Sequence, residues 1–337
     1  MTTPVDQHVL VPGGPQAAHI AELWWLYLAV MVAVCVAIWG CTLVALLRRD
    51  TRLADPALDE DTLAGIPAPE RKLRPLSAKG EARLLRWVVG ASVVSIAVLF
   101  VLLARSMITA QRLAQLPDRA TVRIELTGHR WWWELRYIER DVSQGFTTAN
   151  EIHIPVGRTV ELKLRSADVI HSFWVPNLHG KRDLIPGHDT TLLLQADRPS
   201  AFRGQCAEFC GTAHALMALW VVAEPEPAYR AWKAAQRATP AAPASDEAKR
   251  GKALFEAGPC AMCHTVAGTS AQSSVGPDLT HVASRRSLAA GTLANTRGHL
   301  AGWLANAPNL KPGTAMPSIS LESHQLHALV AYMESLR

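Results

Sequence analysis

Two long uncharged runs limit what this chain of 337 residues can fold into. One begins at Leu23 and the other at Trp87, and each continues without a charged side chain for long enough to cross a bilayer. A helix needs about 20 predominantly apolar residues to span the hydrocarbon core of a membrane. We therefore predict two membrane-spanning helices, at about residues 23–47 and 87–108, in preference to buried helices of a soluble protein.

The positive charges near the two runs predict their orientation. No lysine or arginine precedes Arg48, whereas residues 48–86 between the runs contain nine. Because cytoplasmic loops are enriched in lysine and arginine, we expect both termini to face the periplasmic side of a bacterial inner membrane. No separate signal peptide is recognisable, so the first span is expected to direct insertion. The net charge of +5 is dispersed, which gives no support to nucleic-acid binding.

The pattern changes after the second run. Apolar residues alternate with polar ones at 122–127 and 160–164, which predicts β-strands. Residues 238–244 contain only alanine, threonine and proline, as expected of a linker. We predict a membrane part at 1–110, a β-sandwich at 111–237, a linker at 238–245 and a helical domain at 246–337.

Soft metal ligands cluster near residue 210. Two thiols, an imidazole and a thioether fall within twelve residues, at Cys206, Cys210, His214 and Met217. Such ligands suit copper, and two thiolates can bridge two copper ions if a second imidazole comes from elsewhere. We select His171, at the end of a strand-like segment upstream. The histidines passed over are His129, His153, His179 and His188. A Cys206–Cys210 disulfide and a zinc site are the alternatives, and both leave Met217 without a role.

A second cluster lies in the C-terminal part. Cys260 and Cys263 precede His264 in the order typical of covalent haem attachment. A redox dithiol or part of a zinc site has the same short pattern. The downstream Gly276–Leu279 segment and Met316 in a proline-flanked loop resemble those of class I cytochromes c. That resemblance implies an all-α domain with covalent haem c and Met316 as the second axial ligand.

The order of the copper motif resembles that of subunit 2 of cytochrome c oxidases over residues 10–235. The resemblance implies a cupredoxin-like Greek-key sandwich carrying a dinuclear copper centre, CuA. Its residues in that family pattern are His171, Cys206, Glu208, Cys210, His214 and Met217. The carbonyl of Glu208 is then a weak copper ligand, and its side chain belongs to a magnesium site shared with subunit 1.

The segment Gly128–Trp133 resembles an aromatic segment of the same family. The resemblance assigns Trp131 to electron transfer, and we expect it to pass electrons out to subunit 1. If the three tryptophans continue one strand, Trp132 faces away from Trp131 and Trp133. The alternative is a strand that only packs. One departure is the acidic residue that the family carries shortly before its interfacial tryptophan: Leu84 stands there, and the nearest acid is Glu81.

These features together predict the electron-transfer subunit of a terminal haem–copper oxidase, a proton-translocating oxidoreductase whose oxygen-reducing centre lies in another chain. The expected partners are subunit 1, subunit 3 and an external donor such as a soluble or membrane-bound cytochrome c. One alternative is the equivalent subunit of a CuA-containing nitric oxide reductase. The other is a membrane-anchored copper-binding or copper-delivery protein, which leaves the haem motif unexplained.

Overall fold

The structure, a computed structural model, describes residues 5–47, 78–114 and 122–337. The described residues up to 21 and from 111 onwards form one compact unit, and the described residues from 22 to 110 form another. The predicted fold class, with two membrane-length helices, a β-sandwich and a helical C-terminal part, is confirmed. The predicted cytoplasmic loop lies largely outside the described residues, although its last basic residues begin the second helix.

The two apolar runs form helices that extend beyond the predicted spans. Helix α1 is Pro15–Leu47 and helix α2 is Ala78–Leu113. Both are long and apolar enough to cross a membrane, and their most apolar stretches are not buried within the protein. The Tyr27 hydroxyl donates to the carbonyl of Leu102 across the pair, at 3.4 Å. Glu81 lies in the first turn of α2.

Two sheets form the sandwich. One has the strand order β4-β3-β2-β6-β9, and the other has the order β5-β11-β10-β7-β8, with β1 also paired to β10. The strands are β1 Val5–Asp6, β2 Val122–His129, β3 Trp132–Ile138, β4 Phe146–Ala149, β5 Glu151–Pro155, β6 Val160–Ser166, β7 His171–Trp174, β8 Arg182–Leu184, β9 Thr190–Leu194, β10 Ser200–Cys206 and β11 Ala218–Glu224. Alternate residues of β2 and β6 are buried, as the period of two requires.

The N-terminal segment departs from the predicted division at residue 110. Strand β1 pairs in parallel with β10, and the backbone N–H of Gly13 donates to the carbonyl of Asn177 at 2.7 Å. The buried Gln16 side chain donates to the carbonyl of Leu193. These bonds attach the segment before the first span to the sandwich. The other proposed boundaries, at 111–237, 238–245 and 246–337, stay predictions.

The C-terminal part is built from three main helices around its own core. Helix α3, Glu226–Arg237, first follows the sandwich. The C-terminal helices are α4 Asp246–Ala257, α5 Arg297–Leu310 and α6 Ser323–Ser335. Ser245 caps α4 by accepting from the N–H of Ala248, as predicted for a helix start. A short ribbon, β12 Ser287–Leu288 with β13 Leu293–Ala294, is an addition to the predicted all-α pattern.

Candidate functional site

Strand pairing brings the distant histidine beside the cysteine segment. His171 begins β7 and Cys206 ends β10, and these two strands pair antiparallel with Phe173 opposite Cys206. The chain then turns through Cys210 to a short 3-10 helix at His214–Leu216. The loop returns to β10, because the N–H of Cys206 donates to the carbonyl of Met217 at 2.9 Å.

The predicted copper ligands converge on one small region. The Sγ atoms of Cys206 and Cys210 lie 3.8 Å apart. His171 Nδ1 is 3.9 Å from Cys206 Sγ, and His214 Nδ1 is 3.6 Å from Cys210 Sγ. Met217 Sδ lies 3.9 Å from Cys210 Sγ. Each sulfur therefore has one imidazole beside it, the pairing that two bridged copper ions need.

The surroundings fit a soft metal and not a disulfide. Both cysteines are free and buried. The ligand atoms of His171, Cys206 and Cys210 lie within 4.8 Å of one another. The Cys206 thiol is 3.3 Å from the carbonyl oxygen of Glu208, which adds a hard donor at the edge of the set. Two thiols, two imidazoles, a thioether and a carbonyl form a donor set that matches copper chemistry.

The two neighbouring thiols change each other's pKa in opposite directions. The neighbouring Cys210 thiol lowers the pKa of Cys206 to about 4, and a hydrogen bond with His171 acts in the same direction. The same neighbour raises the pKa of Cys210 well above its usual range. One thiolate forms easily, and its charge opposes the second until a cation is present. Metal binding should therefore release a proton.

Asp168 orients the upstream histidine. Its carboxylate accepts from His171 Nε2 at 2.8 Å, which leaves Nδ1 directed at Cys206. The carboxylate is itself fixed by the N–H groups of Arg130 at 2.8 Å and Val169 at 2.7 Å. Burial raises the pKa of Asp168, but these bonds outweigh it and the pKa is lowered. The sequence reasoning missed this residue, although its spacing of three from His171 was a usable signal.

The Glu208 side chain is exposed and pairs with a lysine. Glu208 Oε2 forms an ion pair with Lys181 Nζ at 3.3 Å, and the same Nζ is 3.0 Å from Asp183 Oδ1. Both members of the Lys181–Glu208 pair are well exposed. Exposed pairs of this kind contribute little to stability, so this carboxylate could exchange its lysine for another cation.

The second predicted cluster has the geometry of a haem attachment site. A 3-10 turn at Pro259–Met262 leads to Cys263, and the N–H of His264 donates to the carbonyl of Cys260 at 3.0 Å. The His264 ring contacts the carbonyl of Pro277 through Nδ1 at 2.7 Å. An Nδ1–H donated to that carbonyl leaves Nε2 free to bind a metal. Both cysteines are half-buried and unpaired.

The loop after α5 supplies the other predicted haem ligand. Met316 lies half-buried in this loop, whereas Met333 is 2% exposed in the core of the helical part. Gly276 packs against the His264 ring so closely that a Cβ there would lie 2.7 Å from Cε1. The residues present therefore fit a covalently attached haem with one fixed histidine.

Trp131 does not continue a strand. It lies in the turn between β2 and β3, outside both strands, although the burial of the three tryptophans still alternates. Its indole Nε1 donates to the carbonyl of Cys210 at 2.9 Å. The ring packs between two glycines: a Cβ on Gly211 would lie 3.0 Å away and one on Gly313 would lie 2.9 Å away. Trp131 is thus only 9% exposed, covered by the loop that carries Met316.

The other two tryptophans have separate roles. Trp133 is completely buried in the sandwich core, and its ring centroid lies 6.0 Å from that of His171. Trp132 is half-buried and stacks on His129 at 4.4 Å. Trp133, and not Trp132, is therefore the tryptophan of this segment with the largest packing contribution.

A histidine passed over in the sequence lies between two carboxylates. His153 contacts Glu151 through Nε2 and Glu224 through Nδ1, each at 2.9 Å, and stacks on Trp232. Burial lowers the pKa of His153, but the bonds to the two glutamates outweigh it and the pKa is raised. Because both ring nitrogens are occupied by acids, this residue is an ion-paired core histidine.

Residues 138–224 match the family described as cytochrome C oxidase subunit II, periplasmic domain, and residues 248–337 match the cytochrome c family. A cytochrome c oxidase subunit 2 of Alkalihalophilus pseudofirmus is 38% identical over 218 residues, which cover 64% of this chain and 62% of that protein. The chain thus spans less than two thirds of that relative's length.

A second relative is matched over more of its length. The cytochrome c oxidase subunit 2 of Bacillus sp. (strain PS3) is 30% identical over 265 residues, which cover 73% of each protein. The crystal structure of the periplasmic domain of subunit II of cytochrome oxidase of Bradyrhizobium japonicum is 27% identical, with a TM-score of 0.34, over 36% of this chain and 97% of that one. Copper and haem c are the cofactors that the two matched families imply. By its matches and its ligand order, this chain belongs to the cytochrome c oxidase subunit 2 family, in a form with a C-terminal cytochrome c domain.

Proposed function

We propose that this chain is the electron-transfer subunit of a terminal respiratory haem–copper oxidase. It passes electrons from an external donor through its two centres to subunit 1, where oxygen is reduced. The observation that carries the proposal is the placement of Trp131. Its ring touches both the segment that carries the copper ligands, through Cys210 and Gly211, and the loop that carries Met316, through Gly313.

The copper centre is proposed to be dinuclear CuA. Cys206 and Cys210 would bridge the two ions, and His171 and His214 would each complete one of them. Met217 and the carbonyl of Glu208 would be the weak ligands. The distances that support this set pair each sulfur with one imidazole. When bound, the copper pair and haem c supply reversible one-electron carriers, with His/Met ligation favouring a higher haem potential than two histidines.

The protein's own residues would attach the haem and orient its ligands. Cys260 and Cys263 would hold the haem covalently, His264 would be the proximal ligand, and Met316 the distal ligand. Pro277 keeps the His264 ring in one orientation through its carbonyl. Asp168 does the same for His171. Both imidazoles are therefore held in place before a metal binds, which keeps rearrangement on electron transfer small.

We propose a further role for Trp131. The sequence assigned Trp131 to the step out to subunit 1, and that assignment stays a prediction. Its ring is 9% exposed and lies against Gly313 of the cytochrome c domain. This contact supports a role for Trp131 in electron transfer from haem c to copper. Phe209, which lies between Cys206 and Cys210 in the sequence, is exposed, and its ring centroid is 5.7 Å from that of His214.

The assembly is proposed to lie in the bacterial inner membrane, with both termini and the metal centres on the periplasmic side. Subunit 1 and subunit 3 would be its partners there, and a soluble or membrane-bound cytochrome c its donor. Glu208 would exchange Lys181 for a magnesium ion at the border with subunit 1. A copper-delivery protein would have no use for the haem attachment residues Cys260, Cys263 and His264.

Electron injection into the purified complex tests this function. Reduction of haem c should be followed by reduction of copper and then by oxygen consumption. Trp131→Gln should slow the haem-to-copper step and leave both cofactors bound. Trp132→Gln, which changes a half-buried neighbour stacked on His129, is the matched control and should leave that step unchanged. Equal rates in both variants would contradict the proposed path, and reduction of nitric oxide in place of oxygen would favour the reductase alternative.

A further inference from the structure

One lysine of the cytochrome c domain is buried at its boundary with the sandwich. Lys311 follows helix α5 and is only 2% exposed. Its backbone N–H donates to the carbonyl of Ala307 at 2.9 Å, so the helix end fixes where its side chain starts. A buried ammonium is costly unless its donors are satisfied. The partners of this group therefore show why it is there.

The Lys311 ammonium meets three backbone carbonyls. Nζ donates to Trp131 at 2.7 Å, to Leu216 at 2.9 Å and to Ala289 at 2.8 Å. An ammonium has three N–H donors, so each has one acceptor. Two acceptors belong to the sandwich and one to the cytochrome c domain. Burial lowers the pKa of Lys311 to about 7.

The carbonyl acceptors are parts of the electron path. Trp131 is the indole between the two centres, and Leu216 lies between the proposed ligands His214 and Met217. Gly313, two residues after Lys311, covers the Trp131 ring. The Lys311 side chain thus connects Trp131, the loop that carries the copper ligands and the start of the loop that carries Met316.

The third acceptor lies in a turn shaped for this contact. Ala289 and Ala290 have left-handed backbone angles, with φ of 53° and 57°, and Gly291 follows with φ of 77°. Alanine in this region is strained, so the surroundings must hold the turn. The N–H of Ala218 donates to the carbonyl of Ala290 at 2.9 Å. The Thr292 hydroxyl lies 2.7 Å from the carbonyl oxygen of Ala289 and 3.1 Å from that of Leu216, two of the three carbonyls that Lys311 uses.

We propose that Lys311 is a positioning residue that locks the cytochrome c domain onto the copper-ligand loop and sets the fit of Trp131 between the two centres. This inference rests on the proposed function for its electron-transfer part. The docking part depends only on residues of this chain and is measurable without any metal.

Hydrogen exchange of the metal-free full chain tests the docking. Lys311→Met keeps the length of the side chain and removes all three donors. The amides of Ala218 and Arg286, which donate across the boundary to Ala290 and Glu151, should then exchange at least about tenfold faster, as expected for losing a hydrogen bond to a charged group. The amides of the β2–β6 ladder should be unchanged. Exchange is followed at a pH below the lowered pKa of Lys311.

Two further variants make the result decisive. Lys249→Met removes an exposed lysine of the same domain, paired only locally with Asp246, and should change nothing. Thr292→Val is a milder change at the same carbonyls, available if Lys311→Met does not fold, and should accelerate the same amides less. Boundary amides that keep wild-type exchange in both Lys311→Met and Thr292→Val would overturn the docking role.

The loaded complex tests the positioning. Lys311→Met should slow haem-to-copper transfer while the optical spectra of both centres and the copper-to-subunit 1 step stay as in the wild type. If the boundary amides exchange faster but haem-to-copper transfer is unchanged, the positioning role is overturned and only the docking role remains. A wild-type complex in which haem never reduces copper would instead contradict the proposed function, and the exchange result would still decide the docking.

Discussion

Asp168 offers a direct test of how the copper ligands are held. Its carboxylate accepts from His171 Nε2 at 2.8 Å and from two backbone N–H groups, those of Arg130 and Val169. In Asp168→Ala, the His171 ring loses its orienting partner and is free to turn Nδ1 away from Cys206. Removing an outer partner of a metal-binding histidine typically costs about 10–100-fold in metal affinity. We expect a loss of that size for copper.

The assay is a competitive copper titration of the metal-free full chain, followed through the thiolate–copper absorption. Asp189→Ala is the matched control, because Asp189 is an exposed carboxylate that pairs with Lys163 and Arg165 and has no contact with the ligands. It should bind copper as the wild type does. Asp168→Asn keeps an acceptor without the charge and should fall between the two. Wild-type affinity in Asp168→Ala would refute the orienting role.

Three further changes have distinct expected outcomes. Met316→Ala should abolish the sulfur–iron absorption band and lower the haem potential, and loss of that band in Met333→Ala instead would transfer the ligand role to Met333. Trp133→Ala should lower the free energy of unfolding by about 3–5 kcal/mol in denaturant unfolding, as other large core truncations do. Trp132→Ala should lower it clearly less, and equal losses of unfolding free energy in the two variants would contradict the difference in burial. Because the folded pKa of His153 is raised above 6.5, its stabilisation should be complete below about pH 6.5 and disappear as pH rises through that raised pKa. His153→Gln should lose this pH-dependent part of the free energy of unfolding, measured over the same pH range. A pH profile of stability like that of the wild type would refute the role of His153.

The metal ligands were accessible from sequence for a chemical reason. Thiols, imidazole and thioether so close together have few uses besides soft-metal binding, and the pairing of β7 with β10 then brings His171 to Cys206. The membrane helices were equally accessible, since uncharged length alone defines them. The turn at Trp131 could not be predicted in the same way. The strand pattern of alternating side chains was assumed to continue through this residue, but the chain turns there.

Contacts between domains were the hardest part to predict. Lys311 precedes a Pro-Gly pair and has the sequence setting of an exposed loop lysine, yet three carbonyls from distant segments enclose it. The N-terminal segment likewise has no apolar pattern that predicts its attachment to β10. Both depend on shapes that exist only after the sandwich and the helical part have folded.

The copper and haem content of the purified full chain tests the central claim most directly. We expect two copper ions and one covalent haem per chain, with a mixed-valence copper signal that disappears in Cys206→Ser because one thiolate cannot bridge as two do. One copper per chain, zinc in its place, or a mixed-valence signal that survives the loss of Cys206 would contradict it.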